Sequence, residues 1–145
     1  MALRFSTGAR NGLAGTQGLF SLFNGGWIDL YSGSQPAAAD NAEAGSLLMT
    51  ISSSSGTSGL VFGTAGAGAL PKAASVWSGT VGTGGVAGWF RLYASPHTTG
   101  TSGTAVRMDG NVGVSGSDMV LANTSLTLGA TLTIDQFTLT IPASA

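Results

Sequence analysis

Two five-residue stretches of this 145-residue chain gather the side chains best suited to recognition or reaction. Trp27-Ile28-Asp29-Leu30-Tyr31 and Trp89-Phe90-Arg91-Leu92-Tyr93 both place Trp, a charge and Tyr at alternate positions. Alternate side chains of a strand share a face. One face of each stretch therefore carries the Trp, charge and Tyr set, and the other carries Ile28 and Leu30, or Phe90 and Leu92, which suits a core. On the first face Arg91 lies between two rings on which its guanidinium can stack, and Asp29 holds the matching place with opposite sign. The expectation is that the strands are near neighbours with Asp29 and Arg91 paired. Two uses fit such a face: a second small core, or an interface, since Trp, Tyr and Arg carry much of the energy of protein contacts. Both uses are packing, not catalysis.

Other candidates for chemistry are few. His97 is the chain's single histidine, between Pro96 and Thr98, and a lone loop histidine reads as a solvated polar residue rather than a base. No serine lies in a G-x-S-x-G elbow. GTGGVA at 82–87 matches a dinucleotide-binding fingerprint in form, but the strand-like WFRLYA that follows makes it a hairpin turn. Asp109, Asn111 and Asp118 flank DGNVGVSGSD without the spacing of a calcium loop, so a solvated turn is expected. Asn123-Thr124-Ser125 has the form of a glycosylation sequon, otherwise a β-turn or bend. The chain has no cysteine, which excludes disulfides and thiolate zinc sites. These readings predict a protein that is not an enzyme and uses neither metal nor cofactor.

Charge and composition point to assembly. Charged residues are 8% of the chain, against about 25% in ordinary soluble domains. Net charge is −1, and a low-charge surface near neutrality favours association. Five scattered basic residues make no phosphate-binding face and no basic membrane patch. No stretch approaches the roughly 18–20 apolar residues of a membrane helix. GLFSLF is interrupted by glycines, so a signal peptide is not expected.

The elements that must position these residues form an all-β pattern, read as a single domain over 1–145. Residues 1–25 are expected to be a helical segment, capped at Ser6 or Thr7, with Phe5, Leu19, Phe20 and Phe23 as its candidate anchors. AAADNAEAG suggests one more helical turn. Residues 26–145 supply about eight short strands with glycine-rich turns, a β-sandwich or jelly-roll-like barrel. The tail LTLGATLTIDQFTLTIP alternates strictly but changes parity. Leu126, Leu128, Ala130, Leu132 and Ile134 share one side, and Phe137, Leu139 and Ile141 the other. A bulge or bend at Asp135-Gln136 is expected, where the strand changes partner. The new partner is either the opposite sheet of the same domain or a neighbouring subunit taking the TLTIP edge.

The segments MALRFSTGARNGLAG, IDLYSGSQPAAADNA, AGWFRLYA, RMDGNVGVSGSDMVL and TLTIDQFTLTIP, in this order, resemble small virion proteins of tailed bacteriophages. The resemblance implies a non-enzymatic particle component made in the bacterial cytoplasm without a signal. Within that group a capsid decoration, or cement, protein on the outer shell is preferred. Its partners would be the major capsid protein and copies of itself, as a trimer by lattice symmetry or else a dimer. A tail or fibre protein and a carbohydrate-binding virion module are the alternatives, although no repeat or shaft-forming segment is present. On this reading Trp27, Asp29, Tyr31, Trp89, Arg91, Tyr93, Phe137, Leu139 and Ile141 are candidate oligomer or capsid contacts.

Overall fold

Alternation in the sequence becomes strand pairing in the structure, a computed structural model that describes residues 3–53 and 58–140. In chain order the elements are β1 (Arg4–Phe5), α1 (Thr7–Ala14), α2 (Leu19–Phe23), β2 (Trp27–Ser32), β3 (Leu47–Ser53), β4 (Ala69–Pro71) and β5 (Trp77–Thr80). Then follow β6 (Gly85–Tyr93), β7 (Arg107–Gly113), β8 (Met119–Val120), β9 (Ser125–Leu126), β10 (Thr131–Ile134) and β11 (Thr138–Thr140). Among the described residues, nine strands form one sheet with the path β1-β7-β6-β2-β3-β5-β10, with β8 beside β7 and β9 beside β6. β4 and β11 form a separate two-stranded sheet. The fold is all-β and sandwich-like.

The helical N-terminus divides in two. Ser6 caps α1, its hydroxyl accepting from the Ala9 N–H, and the helix stops at Gly15. Gly12, Gly15 and Gly18 fall where one continuous helix would need good helix formers, so the chain turns and restarts at Leu19. The segment before α1 is not helical: Arg4 and Phe5 pair with Asp109 and Met108 at the sheet edge. Of the expected anchors, Leu19 and Phe23 are buried and Phe5 packs against the core. Phe20 points outward with 47% of its surface exposed, because the five-residue helix α2 turns only Leu19, Leu22 and Phe23 into the core.

Two other local expectations are corrected. Residues 37–45 form turns and bends without a helical turn. GTGG at 82–85 is not a hairpin: β5 pairs with β3 and β10, β6 with β2 and β7, so the turn begins a crossover. Close backbone approach fixes a glycine inside β5, where a Cβ at Gly79 would stand 2.1 Å from the Thr50 carbonyl oxygen. No side chain fits there, although glycine weakens a strand elsewhere.

The tail's change of parity is a change of partner inside the chain. A turn over 127–130 interrupts the first half, with Gly129 at φ +86° and the Ala130 N–H donating to the Thr127 carbonyl. Leu126 and Ile134 are buried and Leu132 partly so, but Leu128 and Ala130 are exposed, which corrects the expectation of one continuous buried side. β10 pairs with β5, then Asp135-Gln136 carries the chain across to β4, where β11 pairs. Thr138–Thr140 is thus paired within its own chain, on β4. Ile141 lies outside the described residues.

Phe137 is the hinge of this crossing. Its ring lies 5.8 Å from Trp77 of β5 and 5.6 Å from Phe90 of β6, and Trp77 makes an edge contact with Phe62 at 5.0 Å. These rings join Ile28, Leu30, Ile51, Leu92, Leu70 and Leu139 in one apolar cluster. Phe137→Ala should destabilise the fold by about 3–5 kcal/mol, as for an aromatic lost from a packed core. Leu128→Ala, in the same alternating tail but 67% exposed, should change stability by less than about 0.5 kcal/mol. Urea denaturation of both variants checks the contrast.

Candidate functional site

The second face of the large sheet carries the chemistry. β2 and β6 are antiparallel neighbours in the register Trp27↔Tyr93, Asp29↔Arg91 and Tyr31↔Trp89. β7 continues the pattern with Trp89↔Asn111, Arg91↔Asp109 and Tyr93↔Arg107. With Thr50 opposite Asp29 and Arg4 opposite Asp109, one row crosses five strands as Thr50, Asp29, Arg91, Asp109, Arg4. Alternating signs along that row follow from the sequence alone once the register is known.

Arg91 does not pair with Asp29. Its Nε and Nη2 donate to the two oxygens of Asp109 at 2.6 and 2.9 Å, and Nη1 donates to the Asn41 carbonyl and to Glu43 Oε2, both at 2.9 Å. A planar guanidinium makes one two-toothed contact with a carboxylate, and here Asp109 takes it. Asp29 instead accepts from Thr50 Oγ1 at 2.7 Å and the Tyr31 hydroxyl at 3.1 Å, and its Oδ2 lies 2.9 Å from His97 Nε2. Asp29, Arg91, Arg107 and Asp109 are all fully buried.

Aromatic rings complete the layer. Tyr31 stacks on Trp89 at 4.5 Å, the Arg91 guanidinium stands 5.3 Å above Trp89, and that of Arg107 5.8 Å above Tyr93. Tyr31 and Tyr93 share a hydroxyl contact of 2.7 Å, and Tyr93 donates to Glu43 Oε2 at 3.0 Å. Burial pushes both phenols well above their ordinary pKa, so both remain neutral donors. Arg91 is raised as well: burial opposes its charge, but the bonds to Asp109 and that group's charge outweigh the penalty. Partial burial pushes Glu43 up, yet the Gly100 N–H, the Tyr93 hydroxyl and Arg91 together hold it below the usual carboxylate range.

Two loops cover the layer. From residues 33–46 come the Asn41 carbonyl, Glu43, the Ala44 carbonyl that accepts from Trp89 Nε1, and the Ala39 carbonyl near Arg107. From residues 95–105 come His97, the Thr98 carbonyl that accepts from Arg107 Nη2 at 2.7 Å, and the Gly100 N–H bound by Glu43. The helical end is tied in through Asp40, which accepts from the backbone and hydroxyl of Thr7 at 2.8 and 2.6 Å. These Thr7 bonds hold the Asp40 carboxyl below its ordinary pKa.

The expected contact residues are therefore placed as follows. Asp29, Tyr31, Trp89, Arg91 and Tyr93 form one cluster, with Trp27 half-buried at its end. All five are covered by the chain's own loops, as the side chains of a second core would be. A partner approaching this face would meet the loops, not these side chains. Phe137 and Leu139 are buried in the apolar cluster on the other side. Asp109 serves the ion pair, while Asn111 and Asp118 exchange backbone-to-side-chain bonds at 3.1 and 2.9 Å that close the 111–118 loop. The Asn123 side-chain oxygen accepts from the Ser125 N–H, where β9 begins.

The sequence pattern assigns no role to Arg107 or Glu43 and places Asp109 in a solvated turn, whereas Asp109 is fully buried within β7. The two β7 residues had a signal: Arg107, Asp109 and Asn111 alternate as Trp89, Arg91 and Tyr93 do. Glu43 had none, since its loop has no period. Comparison with known proteins gives no match to any family model, curated protein or solved structure.

The chemistry of this arrangement is that of a locked ionic layer. Arg91→Met should cost about 3–5 kcal/mol by leaving buried carboxylates without their cation. The double variant Arg91→Met/Asp109→Leu should lose less than the single one, because it removes the stranded charge as well. Chemical denaturation of the two variants reads the difference directly.

Proposed function

We propose that this chain is a non-enzymatic structural protein of a tailed-bacteriophage particle, a decoration or cement protein bound to the outer capsid. Its partners on this reading are the major capsid protein and further copies of itself. Besides the resemblance of its sequence segments, one observation carries the reading: the charges are turned inward. Of five basic and six acidic residues, the exposed ones are Arg4, Arg10 and Asp135. Large apolar side chains stand outside instead, among them Phe20, Val86, Val114, Val120 and Leu128. Such a surface sheds water at low cost, which suits a small domain packed in many copies on a lattice.

The mechanism is thermodynamic. A protein that binds the assembled shell and not the separate subunits shifts the equilibrium toward the shell, by about 2.7 kcal/mol per site at a hundredfold excess over Kd. The carbohydrate-binding alternative gains no support from the aromatic face, because Tyr31, Trp89 and Tyr93 are covered.

Cryo-electron microscopy of the purified source particle tests the proposal, with density assigned by side chains. The expected result is density on the outer capsid at local symmetry axes, and particles stripped of the protein should break at lower temperature until it is added back. Density confined to the tail, or absence from the particle, would overturn the cement reading.

A further inference from the structure

The cover over the ionic layer is uneven. Residues 95–104, Ser-Pro-His-Thr-Thr-Gly-Thr-Ser-Gly-Thr, contain no large apolar side chain. They lie outside every strand. Nothing greasy holds them down. Among the described residues their ties to the body are His97 to Asp29, the Thr98 carbonyl to Arg107, the Gly100 N–H to Glu43, the Ser102 N–H to the Asp40 carbonyl, and the His97 ring on Tyr93 at 4.2 Å.

Charge across the layer explains why one of these ties differs from the others. The buried face brings together three carboxylates, Asp29, Glu43 and Asp109, and two guanidiniums, Arg91 and Arg107. Asp109 and Glu43 have Arg91. Asp29 has neutral donors from Thr50 and Tyr31, and among its described contacts His97 is the one that can carry positive charge. Protonated His97 is the third cation that balances three anions. The titratable groups against it are Asp29 of β2 and Tyr93 of β6, with the charge of Glu43 from the 33–46 loop close enough to act on it; Tyr31, Arg91, Arg107 and Asp109 belong to the same buried layer. Asp40, in the middle of that loop, is held by Thr7 and lies near Arg10.

We propose that residues 95–104 form a proton-operated lid, closed when His97 donates as an imidazolium to buried Asp29 and loosened when that proton leaves. Opening uncovers Asp29, Tyr93 and Arg107, the groups the lid touches. The bond to Asp29 raises the pKa of His97 above its ordinary value, against a smaller opposing effect of burial. Closure is therefore fully favoured below the ordinary histidine pKa of about 6.5 and is lost as pH rises through the higher value of the closed state. The 33–46 cover keeps its grip meanwhile, because Glu43 and the Asn41 carbonyl hold Arg91, which does not titrate in this range.

Amide hydrogen exchange of the whole protein between about pH 5.5 and 8.5, corrected for intrinsic rates, tests the lid across the histidine range. Protection at 97–104 should fall as pH rises while that of β6 and β7 stays constant. In His97→Gln, which keeps a donor but no charge, protection at 97–104 should be flat with pH and match the wild type at its alkaline end. Constant protection in the wild type, or an unchanged pH slope in the variant, would overturn the proposal. Should the variant fail to fold, NMR titration of the wild-type imidazole decides, since the chain has one histidine. A pKa above the ordinary value is expected, and one at or below it refutes the lid.

Discussion

The two-toothed pair between Arg91 and Asp109 is the constraint from which the rest of this structure follows. Both groups are fully buried in the middle of the sheet. Charges removed from water this far persist only when their remaining hydrogen-bonding capacity is met. The sheet itself cannot meet it, because its backbone groups are engaged in ladders. The two covering loops supply much of what is missing, the Asn41 carbonyl and the Glu43 carboxylate for Arg91 and the Thr98 carbonyl for Arg107, whose Nε is left without a partner. That need explains why the covers are polar and irregular rather than a helix or a second sheet.

Register is specified by the same pair. A one-residue slip of β7 against β6 would carry Arg107 and Asp109 to the opposite face, among Phe90, Leu92 and Met108. An unpaired charge in that apolar cluster would cost several kcal/mol, far more than a lost contact between two aliphatic side chains. Stability and specificity are thus divided between the faces. Trp77, Phe90 and Phe137 supply burial on one side, and the charged row across β3, β2, β6, β7 and β1 supplies a single permitted alignment on the other.

How much of this could be read in advance depended on whether a residue's role was periodic. The strands β2 and β6, their pairing and the separation of aliphatic from aromatic faces all follow from alternation and were legible. The choice of Asp109 over Asp29 was not, because it depends on which of two cross-strand carboxylates the guanidinium fork meets, and Asp109 lay in a segment whose Asp and Asn spacing suggested a loop. The break at 127–130 was hidden for the opposite reason: Gly129 interrupts an alternation that is perfect in residue type, and a turn leaves no mark on parity when it spans an even number of residues. The outward orientation of Phe20 reflects a helix too short to show a face. Loops 33–46 and 95–104, which hold the ionic layer, have no hydrophobic period at all, so their role was visible only after the strands were placed.

A chain with so few charges would be expected to keep them outside, where they resist association. This one does the reverse. Four charged side chains are fully buried and two more, Glu43 and Asp40, are bound at the margin of the same layer. The charges therefore act on internal alignment and contribute little to solubility, and the outside is left to Gly, Ser, Thr, Ala and scattered valines. Such an exterior has little electrostatic repulsion to keep copies apart, and its loss of water is inexpensive. The physical support for the proposed life in an assembly thus comes from where the charges went, not only from how few there are.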